Sequence, residues 1–347
     1  MEANNLKPNF DFDNINNIDI KNEFQTLVSL YTEKGMFLRK TANQWNKEAE
    51  NRPVPKMLFS EFWFENEICF LIADTNTGKS ILGVQIGDSL SKGKSIRGFK
   101  VETTKQVVLY LDFELSDKQF QNRYSKDYKD NYAFDDNFLR LELNPDMDLP
   151  QGVDFEDHLI KAIESQIIDT GAKILIIDNL TYLSANNEKA KDAAPLMKKL
   201  KELKSKYNLS LLILAHTPKR DLSKPLTRND LQGSKMLMNF CDSAFAIGES
   251  HQDKQVRYLK QIKERNCEKI FDTDNVCICQ INKELNFLQF EFLKYGNESE
   301  HLRPRSEKDK ENIIERVKEL SFQKKSQRDI SKELGIGLGT VNKYLKM

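Results

Sequence analysis

The chain has 347 residues, with 53 Lys and Arg against 53 Asp and Glu, so its formal net charge is zero. That length admits one large domain with appendages or two domains. The charge balance leaves only local basic surfaces as an argument for nucleic acid. A charged fraction of 31% and the lack of any apolar run near about 18 residues exclude a membrane-spanning helix. The start, Met-Glu-Ala-Asn-Asn, has no basic stretch leading into an apolar one, so no signal peptide is expected. The five cysteines, Cys69, Cys241, Cys267, Cys277 and Cys279, are odd in number and sit mostly in apolar runs, which fits a reducing cytoplasm. Cys277 and Cys279 are two apart in a strand-like segment, but no second pair or spaced His completes a metal site.

In chain order, residues 1–20 are rich in Asn and Asp and predict disorder. Residues 20–50 carry apolar spacing for one or two helices, and Arg52-Pro-Val-Pro55 is a stiff connector. Ile68 to Ile72 reads as a strand, followed by a turn-rich loop that closes on Gly78-Lys79-Ser80 and by a helix from Ile81. Val107 to Leu111 is a second strand, ending in Asp112-Phe-Glu-Leu-Ser116. Residues 117–158 read as irregular with one helix, and Phe155 to Thr170 as a helix. Lys173 to Asp178 is a third strand, Lys189 to Tyr207 a helix, and Leu209 to Ala215 a fourth strand ending at His216-Thr-Pro-Lys219. Ala244 to Ile247 is a fifth, with strand-like stretches near 256–262, 276–281 and 287–293. Apolar strands alternating with helices predict an α/β fold with a mainly parallel sheet covered on both faces. Ligands of such sheets sit at the carboxyl ends of the strands, and every polar cluster named here is expected on that edge. The expected divisions are an extension over 1–55, a core over 56–296, a polar linker over 297–308 and a small helical unit over 309–347.

Strand, loop and helix around Ala73-Asp74-Thr75-Asn76-Thr77-Gly78-Lys79-Ser80 form the context of a phosphate-binding P-loop. Such a loop turns successive N–H groups toward a polyphosphate and adds the positive end of the following helix. Ala73 stands where the pattern usually has Gly, the smallest departure available. ATP is the expected ligand, with Lys79 on its β/γ-phosphates and Ser80 on Mg²⁺. Asp178, closing an apolar strand, suits the carboxylate on the Mg²⁺ side. Asn179 follows it, so the base must come from elsewhere, and Glu114 after the second strand is the candidate. His216 is placed to sense the γ-phosphate. Lys263 and Arg265 leave a strand in alternation and suit contact across a subunit boundary.

These positions, in this order, resemble the RecA-like ATPases, and most closely the ring helicases of the DnaB and RepA type. Phe113-Glu-Leu-Ser116 looks like the segment with that family's catalytic glutamate, Ile174 to Leu183 like its Walker B strand, and Leu214 to Lys219 like its sensor strand. Asp230 to Lys235 with Asn239 to Ser243 resembles the motif facing the DNA channel, and Lys263-Glu-Arg265 the element that enters a neighbour's ATP site. The likeness covers roughly residues 55–295, and it implies a homo-oligomeric ring, a hexamer, acting on DNA in plasmid or mobile-element replication, mobilisation or transposition.

The final segment, Gln327 to Leu345, fits a helix-turn-helix. Ile330 and Leu334 face Ile336, Val341 and Tyr344 across a turn at Gly335, with Ile313, Ile314, Val317 and Leu320 on a supporting helix. Thr340, Asn342, Lys343 and Lys346 are expected outward, toward base edges and phosphates. Residues 301–347 hold 12 Lys and Arg against 7 Asp and Glu, the local positive excess that phosphate contact needs.

Overall fold

Four buried strands of nearly unbroken apolar character, Ile68–Ala73, Val108–Asp112, Ile174–Asp178 and Ser210–His216, set the frame, because such strands must be covered on both faces. The computed structural model describes residues 37–149, 152–179, 190–218, 220–230, 235–304 and 307–347. The expectations for residues 1–36, for Leu180 to Leu183, for Lys189, for Lys219 and for Leu231 to Ser234 lie outside them. The chain divides into two compact units, 1–54 and 55–347. The first contributes helix α1 (Ala42–Glu50), opened by a Thr41–Gln44 capping box and burying none of its residues.

The second unit begins with a short hairpin, β1 (Met57–Phe59) and β2 (Trp63–Phe64), and then β3 (Ile68–Ala73), α2 (Lys79–Lys92), β4 (Val108–Asp112) and α3 (Asp117–Arg123). A small two-stranded ribbon, β5 (Ser125–Lys126) and β6 (Asp130–Asn131), precedes β7 (Phe138–Leu141), α4 (Phe155–Thr170) and β8 (Ile174–Asp178). There follow α5 (Ala190–Tyr207), β9 (Ser210–His216), α6 (Lys235–Phe240), β10 (Ser243–Glu249), β11 (Val256–Lys263), β12 (Val276–Glu284) and β13 (Phe287–Gly296). Three helices close the chain, α7 (Glu307–Phe322), α8 (Gln327–Leu334) and α9 (Leu338–Leu345).

The main sheet runs β13-β12-β11-β10-β3-β9-β8-β4-β7. From β10 to β7 all neighbours are parallel, and β11 to β13 are added antiparallel at one side. This is the expected α/β architecture with a mainly parallel sheet. Alternate residues of β3 feed opposite layers: Ile68, Phe70 and Ile72 pack with α4, α5 and α6, while Cys69, Leu71 and Ala73 pack with α2 and the first hairpin. Helix α2 lies close to the sheet, since a Cβ at Gly87 would come within 2.5 Å of the Phe138 ring.

Two expectations change. Residues 138–141, read as irregular, form an edge strand paired with β4. They are few, and Leu139 to Leu141 are only half-buried, so no long apolar run announced them. The polar stretch after Gly296 is not simply a spacer. Glu298 is fully buried, takes Lys260 Nζ at 2.5 Å and the Leu226 amide at 2.7 Å, and His301 is buried against Ser250 at 2.8 Å. Glu298 entered the core because its charge found a partner there, the Lys260 ammonium.

The three terminal helices have their own core of Val317, Leu320, Ile330, Ile336 and Val341, with Ile313, Leu334, Tyr344 and Leu345 packed on it. The turn between α8 and α9 passes through Gly335 at φ +58°, where a side chain would be strained. Ser331 Oγ closes that turn on the Ile336 carbonyl at 2.6 Å. Lys224, in the loop after β9, donates to the Leu334 carbonyl at 3.0 Å and so touches the same turn.

Candidate active site

The parallel strands β3, β9, β8 and β4 are consecutive in the sheet, so their carboxyl ends form one row. Register places Ala73 beside His216 and Asp112 beside Asp178. The loop after β3 leads into α2 through Gly78, which is left-handed at φ +104° and offers no side-chain cap. The first N–H groups of α2 are therefore left for an anion. A cavity of about 310 Å³ lies over this loop, lined by Thr75, Asn76, Gly78, Lys79, Ser80 and Ile81 and by Glu114, Arg123 and His216.

Lys79 is buried, and its ammonium lies against the carbonyls of Ala73 (3.1 Å) and Asp74 (2.9 Å) and Nδ1 of His216 (3.1 Å). Burial lowers its pKa, opposed by Asp178, Glu114 and Asp74. An ammonium only donates, so Nδ1 of His216 accepts from it, and a ring with one proton carries that proton on Nε2. Nε2 lies 3.6 Å from Glu114 Oε1. The Asn179 amide donates to the same oxygen. The close approach of the His216 ring is the main reason the Glu114 carboxyl is held below the usual carboxylate range; burial opposes it, and the charges of His216, Lys79 and Arg123 help. Glu114 is thus a half-exposed, ionised carboxylate held over the P-loop cavity, as a base for water must be.

Asp112 makes that placement. Its Oδ1 accepts the amides of Glu114 (3.1 Å) and Leu115 (3.0 Å), and its Oδ2 takes Arg140 Nε at 2.8 Å. Arg140, on β7, also donates to the Leu115 carbonyl at 2.6 Å.

Asp178 is fully buried, and Tyr110 donates to its Oδ2 at 2.6 Å. Burial pushes its carboxyl up to about 6, with the neighbouring Ser80 and Tyr110 hydroxyls working against the rise. Oδ1 has no hydrogen-bond partner among the described residues. An orphaned buried carboxylate oxygen beside the hydroxyl of the P-loop serine fits a hard divalent cation such as Mg²⁺.

The structure thus brings Lys79, Ser80, Glu114 and His216 to one cavity, with Asp178 beneath it. Of the remaining P-loop positions, Thr75, Asn76 and Gly78 line the cavity. Ala73 is buried at the strand end, and Thr77 Oγ1 is turned back to the Asp74 carbonyl at 2.7 Å. The Asp74 carboxylate faces away, accepting from Thr217 and lying 3.5 Å from Arg220.

Lys263 and Arg265 are a correction to the expectation of one shared edge. β11 runs antiparallel and pairs Lys263 with Ala244, the start of β10, so both lie at the edge opposite this chain's own P-loop. There Lys263 donates to the carbonyls of Met238 and Cys241 at 2.5 and 2.6 Å, and Arg265 pairs with Asp242 at 2.9 Å. Neither enters this chain's own cavity, and the Asn239 to Ser243 stretch lies at that same far edge. On α9, Lys343 and Lys346 are exposed, while Thr340 and Asn342 are half-buried rather than fully outward.

Arg123 was missed. Its Nη1 is buried with no hydrogen-bond partner among the described residues, although the side chain lines the P-loop cavity. Its signal was the spacing Ser116-x-x-Gln119, whose side chain accepts the Ser116 amide at 3.0 Å and starts a helix directly after Glu114. Arg123 ends that helix.

The family model described as AAA domain matches residues 37–221, more than half of the chain. The chain belongs to that AAA domain family. No curated protein matches it. Among solved structures it is similar to a KaiC-like protein from the hyperthermophilic archaeon Pyrococcus horikoshii OT3, at 13% identity and a TM-score of 0.45, over 69% of this chain and 99% of that one. Within the AAA domain match lie the P-loop, Glu114, Arg123, Asp178 and His216, whereas β10 to β13 and the three terminal helices lie beyond it. Among the described residues, no helix is long and apolar enough to cross a membrane.

Proposed function

We propose that this AAA domain protein is a Mg²⁺-dependent ATPase that acts on DNA as a ring helicase or translocase. The observation that carries the reading is Glu114: an ionised carboxylate, tethered by Asn179 and His216, facing a cavity whose other wall is the P-loop. The loop amides and Lys79 hold the phosphates, Arg123 adds a second cation, and Glu114 orients and deprotonates the attacking water. Ser80 and Asp178 would hold the Mg²⁺, which supplies charge neutralisation at the phosphates. Arg265, on the opposite edge, is offered to the next subunit of a ring, where it would stabilise charge in trans.

The terminal three-helix unit is read as a helix-turn-helix that contacts DNA through Lys343, Lys346, Thr340 and Asn342, supported by its turn at Gly335 and its local basic excess. A role in plasmid or mobile-element replication, mobilisation or transposition follows from the sequence resemblance. The test is ATP turnover with and without DNA, together with strand separation on a forked duplex and mass measurement with ATP and DNA. DNA-stimulated turnover, unwinding and a closed ring are expected. Turnover without strand separation would replace the helicase with a nucleotide-controlled DNA switch. No magnesium-dependent nucleotide affinity would end the reading altogether.

A further inference from the structure

A P-loop works by aiming peptide N–H groups at phosphate, yet the loop's own sequence does not fix which way each peptide plane faces. The plane between Thr77 and Gly78 is fixed from behind. Arg257, on β11, donates Nε to the Thr77 carbonyl at 3.1 Å. Its Nη1 is held by the carbonyls of Lys254 (2.6 Å) and Val256 (3.0 Å), and Glu249 lies 3.7 Å from Nη2. The side chain is buried. The Thr77–Gly78 peptide is trans, and in a trans peptide C=O and N–H point in opposite directions. A Thr77 carbonyl turned toward Arg257 therefore sends the Gly78 N–H away from β11, and Gly78 is a wall of the phosphate cavity. The same antiparallel strands close the loop's rear: a Cβ on Gly78 would meet Ile281 at 2.8 Å and Phe290 at 2.9 Å.

We infer that Arg257 is a positioning residue for the nucleotide polyphosphate. It locks the Thr77–Gly78 peptide, strengthens the Gly78 N–H as a donor by polarising the amide, and adds a buried positive charge behind the loop. This deepens the ATP-binding reading above and rests on it. It also gives β11, which lies beyond the AAA domain match, a role in the nucleotide site.

The experiment uses the full chain with fluorescent ATP and ADP analogues, steady-state turnover, and the ¹⁵N–¹H resonance of Gly78 in glycine-labelled protein without nucleotide. Arg257→Met keeps bulk but removes charge and donor. It should weaken both nucleotides by about tenfold or more, the scale of a lost charged hydrogen bond. The loss should appear in KM, with kcat nearly unchanged, because Glu114 and its partners are untouched. The Gly78 resonance should move toward that of a weaker donor. Arg257→Lys, which keeps charge without the fork, should fall between. Damage that is merely structural would lower the active fraction, hence kcat, and leave KM in place. Wild-type KM and an unmoved Gly78 resonance in Arg257→Met would overturn the inference. Should that variant not fold, the same wild-type values in Arg257→Lys would overturn it. Wild-type protein without nucleotide affinity would instead remove the ATPase reading, and the Gly78 resonance would still decide whether Arg257 holds the peptide.

Discussion

Replacing Asp178 with Asn should stabilise the metal-free protein while abolishing its function. The Asp178 carboxyl is wholly buried, its Oδ1 has no partner, and burial raises its pKa from 3.8 to about 6. Two units correspond to roughly 3 kcal/mol of differential protonation energy. The sign follows from the raised value. Below pH 4 both folded and unfolded chains hold the proton, and the folded state has no penalty. Between about pH 4 and 6 the folded chain binds more protons than the unfolded one, so stability falls as pH rises, and above pH 6 the full cost of a buried charge is present. Asn carries no charge and can still accept from Tyr110. Its new N–H₂ needs an acceptor, and the Ser80 hydroxyl next to it is an incomplete one, so the net gain at pH 7 to 8 should be about 1–2 kcal/mol. Denaturant unfolding with chelator and no nucleotide, at several pH values from 4 to 8, checks this. The variant should be slightly less stable than wild type near pH 4, where its extra N–H₂ is uncompensated, cross it near about pH 5 and lead it above pH 6. Addition of Mg²⁺ and ATP should then favour wild type, since a ligand bound only by the folded state adds stability by mass action. An Asp178→Asn protein no more stable than wild type at pH 7.5, or a difference independent of pH, would refute the reasoning.

Glu114→Gln should still bind ATP but turn it over at least ~10²-fold more slowly, the scale of a lost general base; normal turnover would take Glu114 out of the chemistry. Arg123→Ala should lower turnover by about 10²-fold, as for a donor aimed at developing phosphate charge, and single-turnover kinetics would locate the loss in the chemical step. Arg265→Ala subunits mixed with wild type should depress activity more steeply than dilution, whereas a linear mixing curve would remove the in-trans role. Deleting 305–347 should weaken duplex binding and leave basal ATP turnover in place, as gel shift and ATPase assays would show. Cutting before Glu298 instead should unfold the core, because Lys260 would be left buried without its carboxylate, at a cost of about 3–5 kcal/mol.

What lay in the sequence alone was whatever depends on neighbours in the chain. The P-loop could be read because strand, loop and helix must be contiguous to aim amides at phosphate. Asp178, Glu114 and His216 could be read because each follows an apolar strand, and parallel strands put such positions on one edge. The terminal three-helix core could be read because its apolar spacing closes across a single glycine. Only the tertiary structure decided what depends on pairing between distant strands. Nothing local distinguishes β11 from a parallel strand, yet its reversed direction sends Lys263 and Arg265 to the far edge and brings Arg257 up behind Thr77. Arg140, on a four-residue strand, positions Glu114 from 26 residues away through Asp112. Glu298 looked like linker because a buried charge reads as polar until its partner, Lys260, is seen. Periodicity reports which face a residue takes; direction and partner are properties of the assembled sheet.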